Sequence, residues 1–297
     1  MTNPVTNPVL NFDDVHLSFA GVRAIDGVSF QVAEHELFAI IGPNGAGKTS
    51  IFNVLSGVYR PQSGSVVFHG ENLIGMRPHR IAARGMARTF QNVELFANLT
   101  VLDNLMLGRH CHIRYGTLAA IAWLGKARRE EIANRAAVED IVDFLELEQW
   151  RGLPVGLLPY GVQKRVELGR ALAMRPKLLL LDEPVAGMNL EETEDMARFI
   201  ADIRDELDIP IIMVEHDMGL VMDIADRVLV VDFGVPIATG VPAEIQHHPE
   251  VIRAYLGGAP TVSDSPSPPS DHQPSTAAAS GAATSDAVTL DEAQVQR

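Results

Sequence analysis

Gly42-Pro43-Asn44-Gly45-Ala46-Gly47-Lys48-Thr49 carries the clearest chemistry in the chain. Two glycines with four residues between them, followed by Lys and Thr, make a loop whose backbone N–H groups turn inward around phosphates. A helix starting at the end of such a loop adds the positive end of its dipole. Lys48 is then placed to reach the β- and γ-phosphates of a nucleotide, and Thr49 to offer a hydroxyl to Mg2+. The phosphate-binding set is Gly42, Pro43, Asn44, Gly45, Ala46, Gly47, Lys48, Thr49 and Ser50. Farther along, the apolar run Leu178 to Leu181 ends in Asp182-Glu183. A carboxylate at the end of a buried strand can hold Mg2+ through a water, and a second one beside it can orient the attacking water or take its proton. Asp182 is assigned to the metal and Glu183 to the water. Two acids after an apolar strand also suit a helix cap, and only the phosphate loop tips the balance toward catalysis.

These residues need a scaffold, and the apolar pattern supplies one. Leu37 to Ile41 is a continuous apolar run that enters the Gly-rich loop, and Ile51, Val54 and Leu55 follow with helical spacing, giving strand, loop, helix. Leu178 to Leu181 and Ile211 to Val214 have the same unbroken apolar character and end in acidic or His-containing loops, as buried parallel strands do. From Leu10 to about Val32 the pattern alternates instead, through Val15, Leu17, Phe19 and then Val28, Phe30, Val32, which predicts short antiparallel strands with turns at Ala20-Gly21 and Asp26-Gly27. Val228 to Val231 and Val235 to Ala238 flank a turn at Asp232-Phe233-Gly234. Between Thr100 and Arg175 the spacing is helical, as in Ile132, Val138, Ile141, Val142 and Leu145.

Composition narrows the function class. The chain has 297 residues, 46% hydrophobic content and a formal charge of −14, part of which comes from Asp264, Asp271, Asp286, Asp291 and Glu292. An acidic body without a long Lys/Arg cluster lacks the electrostatic footprint by which proteins hold nucleic acid, so no nucleic-acid partner is expected. A single cysteine, Cys111, excludes an internal disulfide, and no leader pattern opens the sequence, so a cytoplasmic setting is expected. The longest apolar stretches, such as Thr117 to Leu124, fall short of the roughly 20 residues needed to cross a bilayer. That stretch, with Trp123, reads as a buried helix face, and His110-Cys111-His112 is not read as a metal site because neighbouring helical positions diverge. Residues 1–9 read as a flexible N-terminus, and residues 259–297, rich in Ser, Pro, Ala and Thr, as a disordered tail.

A phosphate loop fits many NTPases, and the intervening elements are more specific. Phe19 ends an alternating run, Gln91 lies in Thr89-Phe90-Gln91, Leu158-Pro159-Tyr160-Gly161-Val162-Gln163 precedes the apolar run at Leu178, and His216 lies in Glu215-His216-Asp217. In that order, over residues 10–258, the chain resembles the ATP-binding cassette (ABC) family. The resemblance implies an α/β P-loop NTPase of ABC type: a RecA-like mixed sheet core, an antiparallel β subdomain and a helical subdomain over about 92–175. It implies ATP and Mg2+ as ligands, Thr49, Gln91 and Asp182 at the metal, Glu183 and His216 as catalytic, and Pro159, Tyr160, Gly161 and Gln163 as the signature that clasps the nucleotide of a second cassette. Phe19 offers a π-face to a purine, though its place in an alternating strand also suits a core aromatic. The family places Ser where Pro159 stands, and proline brings neither hydroxyl nor N–H.

Leu-Pro-Tyr-Gly followed by Gln-Lys-Arg, the Ala186-Gly187-Met188-Asn189 loop, an insertion about His110 to Glu131 and the ending Pro249 to Gly257 resemble the ATPase of branched-chain amino-acid importers. The implied partners are two transmembrane permease subunits, a second ATP-binding cassette, different or identical, and indirectly an external solute-binding protein. The implied location is peripheral, on the cytoplasmic face of the membrane. Related ATPases serve urea or amide importers and a lipopolysaccharide exporter. A soluble ABC ATPase outside transport is the alternative from another class; such chains carry a second cassette or a long coiled coil, and neither is present here.

Overall fold

The computed structural model describes residues 8–91, 93–112 and 126–256. Strands β1 (Leu10–Phe19) and β2 (Val22–Val32) come first, then β3 (Leu37–Ile41), β4 (Ser63–Phe68), β5 (Glu71–Asn72) and β6 (Met86–Arg88). After a largely helical stretch follow β7 (Leu178–Asp182), β8 (Ile211–Val214), β9 (Arg227–Asp232) and β10 (Val235–Gly240). They build two sheets, one ordered β2-β1-β4-β5 and the other β10-β9-β3-β8-β7-β6. The first is antiparallel. In the second, every pairing is parallel except that of β9 with the edge strand β10.

The unbroken apolar runs lie in the middle of the second sheet because both faces are covered. Their alternate residues divide between two cores. Leu37, Ala39, Ile41, Leu179, Leu181, Ile211 and Met213 face the helices Val101–Gly108, Lys126–Phe144, Tyr160–Ala173 and Leu190–Asp205. Phe38, Ile40, Leu178, Leu180, Ile212 and Val214 face the antiparallel sheet and the helix Lys48–Leu55. The antiparallel sheet is held to the central one through aromatic faces. Phe12 stacks on Phe30 at 4.8 Å, and Phe30 on the central strand's Phe38 at 5.1 Å, with interplanar angles of 19° and 12°. Such offset stacks contribute about 0.5–1.5 kcal/mol beyond their buried area.

Two local expectations are corrected, and three further strands appear. Asp26-Gly27 is not a turn: it lies inside β2 where the register with β1 shifts, so the extra residue is absorbed as a bulge. The N-terminal segment expected to be flexible through residue 9 joins the sheet sooner, since Val9 is buried, donates to Val32 O at 2.8 Å and accepts from His69 N at 2.9 Å. β4, β5 and β6 were not anticipated, being short or interrupted by Gly64, whose φ of 93° lets it pass against the backbone of Asp14 and Val15. The apolar stretch Thr117 to Leu124 and the tail 259–297 lie outside the described residues. Among the described residues no helix is long and apolar enough to cross a membrane.

Phe38 joins both sheets and is fully buried. Phe38→Ala is expected to lower stability by about 3–5 kcal/mol, measured by urea unfolding, whereas exposed Phe233→Ala should change it by less than about 0.5 kcal/mol.

Candidate active site

Four neighbouring parallel strands deliver the sequence-predicted groups at their carboxyl ends: β3 the Gly-rich loop, β8 the histidine, β7 the acid pair and β6 the glutamine segment. This is the edge at which ligands bind in open α/β sheets. The loop leaves β3 at Gly42, where a Cβ would stand 2.0 Å from Val231 O, so only glycine can pass the end of β9. At Gly47, the N-cap of the following helix, φ is 103° and a Cβ would stand 2.3 Å from Ala24 O. Gly234 N donates to Ala46 O at 2.9 Å, fixing the loop to the β9–β10 turn.

Lys48 begins the helix and is largely buried. Its Nζ donates to Gly42 O at 2.6 Å and Pro43 O at 3.1 Å, so the ammonium curls back over the loop. Burial pushes its pKa below the ordinary lysine value, opposed by the charges of Glu183, Asp182 and Glu215. A cavity of about 260 Å3 opens over Pro43 to Ala46, walled also by Asp232, Phe233 and Arg253. Nearby, burial pushes the Tyr255 phenol up to about 12, although a hydrogen bond from the backbone of Gly42 works in the other direction.

Asp182, the last residue of β7, is buried and accepts from Arg88 Nη2 at 2.7 Å, while its own N–H donates to Thr89 Oγ1 at 3.3 Å. Glu183 follows with φ 49°, in the left-handed region that non-glycine residues seldom adopt, and donates its N–H to Val214 O at 2.9 Å. This twist swings its side chain off the line of the strand toward neighbouring loops. There Gln91 Nε2 donates to Glu183 Oε2 at 2.9 Å, and His216 Nδ1 lies 3.9 Å from the same oxygen. Gln91, Glu183 and His216, far apart in sequence, thus meet at one point.

Phe19 lies at the end of β1, 44% exposed, with Tyr59 edge-to-face at 4.9 Å; it is not a core aromatic. The signature residues stand apart from the phosphate loop. Pro159 caps the helix Tyr160–Ala173 without a side-chain hydrogen bond, and Tyr160 packs over Gly187, where a Cβ would stand 3.2 Å from the ring. Gly161 lies against the Glu192 carboxylate, a contact that a Cβ would block at 2.4 Å, and Gln163 Nε2 donates to Leu158 O at 2.8 Å. Among the described residues no hydrogen bond joins Pro159–Gln163 to Gly42–Ser50.

Sequence reading missed the charged groups beneath this surface. Glu215 is fully buried. Its Oε1 accepts from Val185 N at 3.2 Å, and its Oε2 from His216 N at 2.9 Å and Asp217 N at 3.3 Å, tying the histidine loop to the segment after Glu183. Burial raises its pKa against those hydrogen bonds. Arg88 donates to Asn53 Oδ1, Ser56 Oγ and Asp182 between the rings of Phe52 and Phe90. The available signal was a charge at the end of an apolar strand pattern: Arg88 after Met86-Ala87, and Glu215 after Val214.

Comparison with solved structures gives the same architecture. A nucleotide-free ATP-binding cassette from an ABC transporter matches with a TM-score of 0.73 and 28% identity, covering 84% of this chain and 98% of that one. The ADP conformation of MJ1267, an ATP-binding cassette of an ABC transporter, matches with a TM-score of 0.74 and 29% identity, covering 85% of this chain and 100% of that one. The fold is that of a P-loop ATPase of the ATP-binding cassette type. Residues 25–186 match the ABC transporter family, and residues 235–260 the branched-chain amino acid ATP-binding cassette transporter family. The high-affinity branched-chain amino acid transport ATP-binding protein BraF of Pseudomonas aeruginosa is 41% identical over 258 residues, covering 86% of this chain and 100% of BraF. LivG of Escherichia coli, which bears the same description, is 38% identical over 257 residues, with coverages of 86% and 100%. The chain belongs to the ABC transporter family and is an ATPase.

The raised pKa of Glu215 sets a pH test. A buried carboxyl that holds its proton above the unfolded value makes the folded state lose stability as pH rises through the ordinary Glu range, starting near 4.5. Glu215→Gln cannot ionise. Urea unfolding of both proteins between about pH 4.5 and 8 is expected to show the variant gaining on the wild type as pH rises. A difference that is flat, or that moves the other way, rejects the burial assignment.

Proposed function

We propose that this chain is the ATP-hydrolysing subunit of an importer of branched-chain amino acids. The convergence of Gln91, Glu183 and His216 beside the Gly42–Thr49 loop is the observation that supports the ATPase chemistry, and the match of residues 235–260 supports the cargo class. In this reading Gly42 to Ser50 cradle the phosphates, Lys48 leaves its two carbonyl partners to meet them, and Phe19 carries the adenine. The loop is suited to phosphates because glycine is required sterically where it passes Val231 and Ala24, so its N–H groups are held inward by contact with both sheets.

The donors also fit Mg2+, which prefers hard oxygen ligands. Thr49 offers a hydroxyl and Asp182 a carboxylate whose Oδ2 is engaged by Arg88, leaving Oδ1 for the ion. Gln91 offers an amide oxygen, its nitrogen being committed to Glu183. When bound, Mg2+ would supply positive charge to offset that on the phosphates. Glu183, oriented by Gln91, takes the proton of the attacking water as the water oxygen bonds to the γ-phosphorus and the bond from that phosphorus to the β,γ-bridging oxygen breaks, releasing ADP and inorganic phosphate. His216 donates to a γ-phosphate oxygen, its loop steadied by Glu215.

The helix beginning at Tyr160 presents its first N–H groups, with Tyr160 and Gly161, to the nucleotide of a second cassette. Catalysis then requires two cassettes, and the assembly adds two membrane permeases that work with an external solute-binding protein. Peripheral attachment on the cytoplasmic side follows from these partners.

Glu183→Gln in the full assembly is expected to retain ATP binding while kcat falls by roughly 100-fold or more, the usual scale for loss of a general base. Leucine, isoleucine and valine uptake into vesicles should fall in parallel. ATP turnover at the wild-type rate would sink the role of Glu183. Full turnover without uptake of any of the three amino acids by the wild-type assembly would sink the cargo assignment.

A further inference from the structure

The helix Tyr160–Ala173 carries a charged pair where an apolar one would be expected. Lys164 and Glu167 lie three residues apart on one side of the helix, their side chains are each only 2% exposed, and Lys164 Nζ is 3.8 Å from Glu167 Oε2. Taking both charges out of water is costly, and exchanging such a pair for apolar residues is often neutral or stabilising. Here its polar atoms are occupied by the main chain of the segment after β6. Lys164 Nζ donates to Gln91 O at 2.9 Å. Glu167 Oε1 accepts from Phe90 N at 3.2 Å, and the Glu167 carboxylate also receives a backbone hydrogen bond from Glu94. Another three residues along, Arg170 Nη1 donates to Glu94 O at 2.5 Å. One stripe of the helix thus grips both sides of Gln91, whose side chain reaches Glu183.

The geometry points to Lys164 and Glu167 as positioning residues that hold Gln91 against Glu183 and make the Gln91 segment one body with the helix. The amino end of that helix is Tyr160-Gly161. A shift imposed there is transmitted along a hydrogen-bonded rod and through the Lys164–Gln91 bond, so it alters the contact between Gln91 and Glu183 without passing through the sheet. The inference rests on the proposed reading of Gln91 and Glu183 as parts of the ATP site.

The test compares K164M/E167A with K164Q/E167A in the full assembly. Both doubles are neutral at these positions, and they differ in whether residue 164 can donate to Gln91 O. In K164M/E167A, amide hydrogen exchange over residues 89–95 is expected to rise about tenfold while the Gly42–Thr49 segment stays as protected as in the wild type. Its kcat should fall about tenfold with KM for ATP within about twofold, and K164Q/E167A should recover most of the loss in both readouts. Equal kcat in the two doubles, or unchanged exchange over residues 89–95, overturns the proposal. Exchange reads the grip without ATP turnover, so a failure of the ATPase reading appears separately, as normal turnover in Glu183→Gln.

Discussion

Burial of the central strands on both faces is the constraint from which the rest of the molecule follows. A strand covered above and below has no side on which to place a polar group, so β3, β7 and β8 are apolar until they end. Because they run parallel, they end at the same edge, and the polar residues that could not enter the sheet collect there together. Lys48, Asp182, Glu183 and His216 owe their proximity to this directional rule before any specific contact is considered.

Beneath that edge a second layer of charge is held away from water. Lys164, Glu167 and Glu215 each have hydrogen-bond partners in the main chain of loops rather than in the surrounding core, while Arg88 ties the helix residue Asn53 to Asp182 at the end of β7. Groups of this kind contribute little net stability compared with apolar residues of the same size, but removing one partner leaves a buried charge uncompensated. Their effect is to make each loop conformation an all-or-none arrangement. The left-handed backbone at Glu183 persists in this setting because Val214 O, Gln91 and the adjoining segment at Val185 define it from several sides.

Much of this was legible from residue order. Leu37 to Ile41, Leu178 to Leu181 and Ile211 to Val214 announce themselves as strands because an unbroken apolar run of that length has few other uses, and the Gly42–Thr49 loop is specific enough to be read alone. Asp182 and Glu183 could be placed because a strand pointed at them. Asp26-Gly27 misled because the same residue pair that makes a turn also makes a bulge, and only pairing with β1 decides between them. Glu215 and Lys164 were passed over for a different reason. Their identities are ordinary, and what distinguishes them is burial, which depends on contacts such as Lys164 with Gln91 across 73 positions of sequence. Gln91 was expected at the metal and Glu183 at the water from family order, but their direct hydrogen bond was not, since nothing local to either residue states a distance.

The stacked rings of Phe12, Phe30 and Phe38 have a metric consequence. Phe19 sits on the antiparallel sheet and the Gly42–Thr49 loop on the central one, so the span between them is set by how the two sheets are spaced. Flat aromatic faces in van der Waals contact compress very little and resist being drawn apart, which makes the stack a gauge block. On the proposed reading of Phe19, three residues outside the site hold its ring and the phosphate loop at the separation that a bound nucleotide has to bridge.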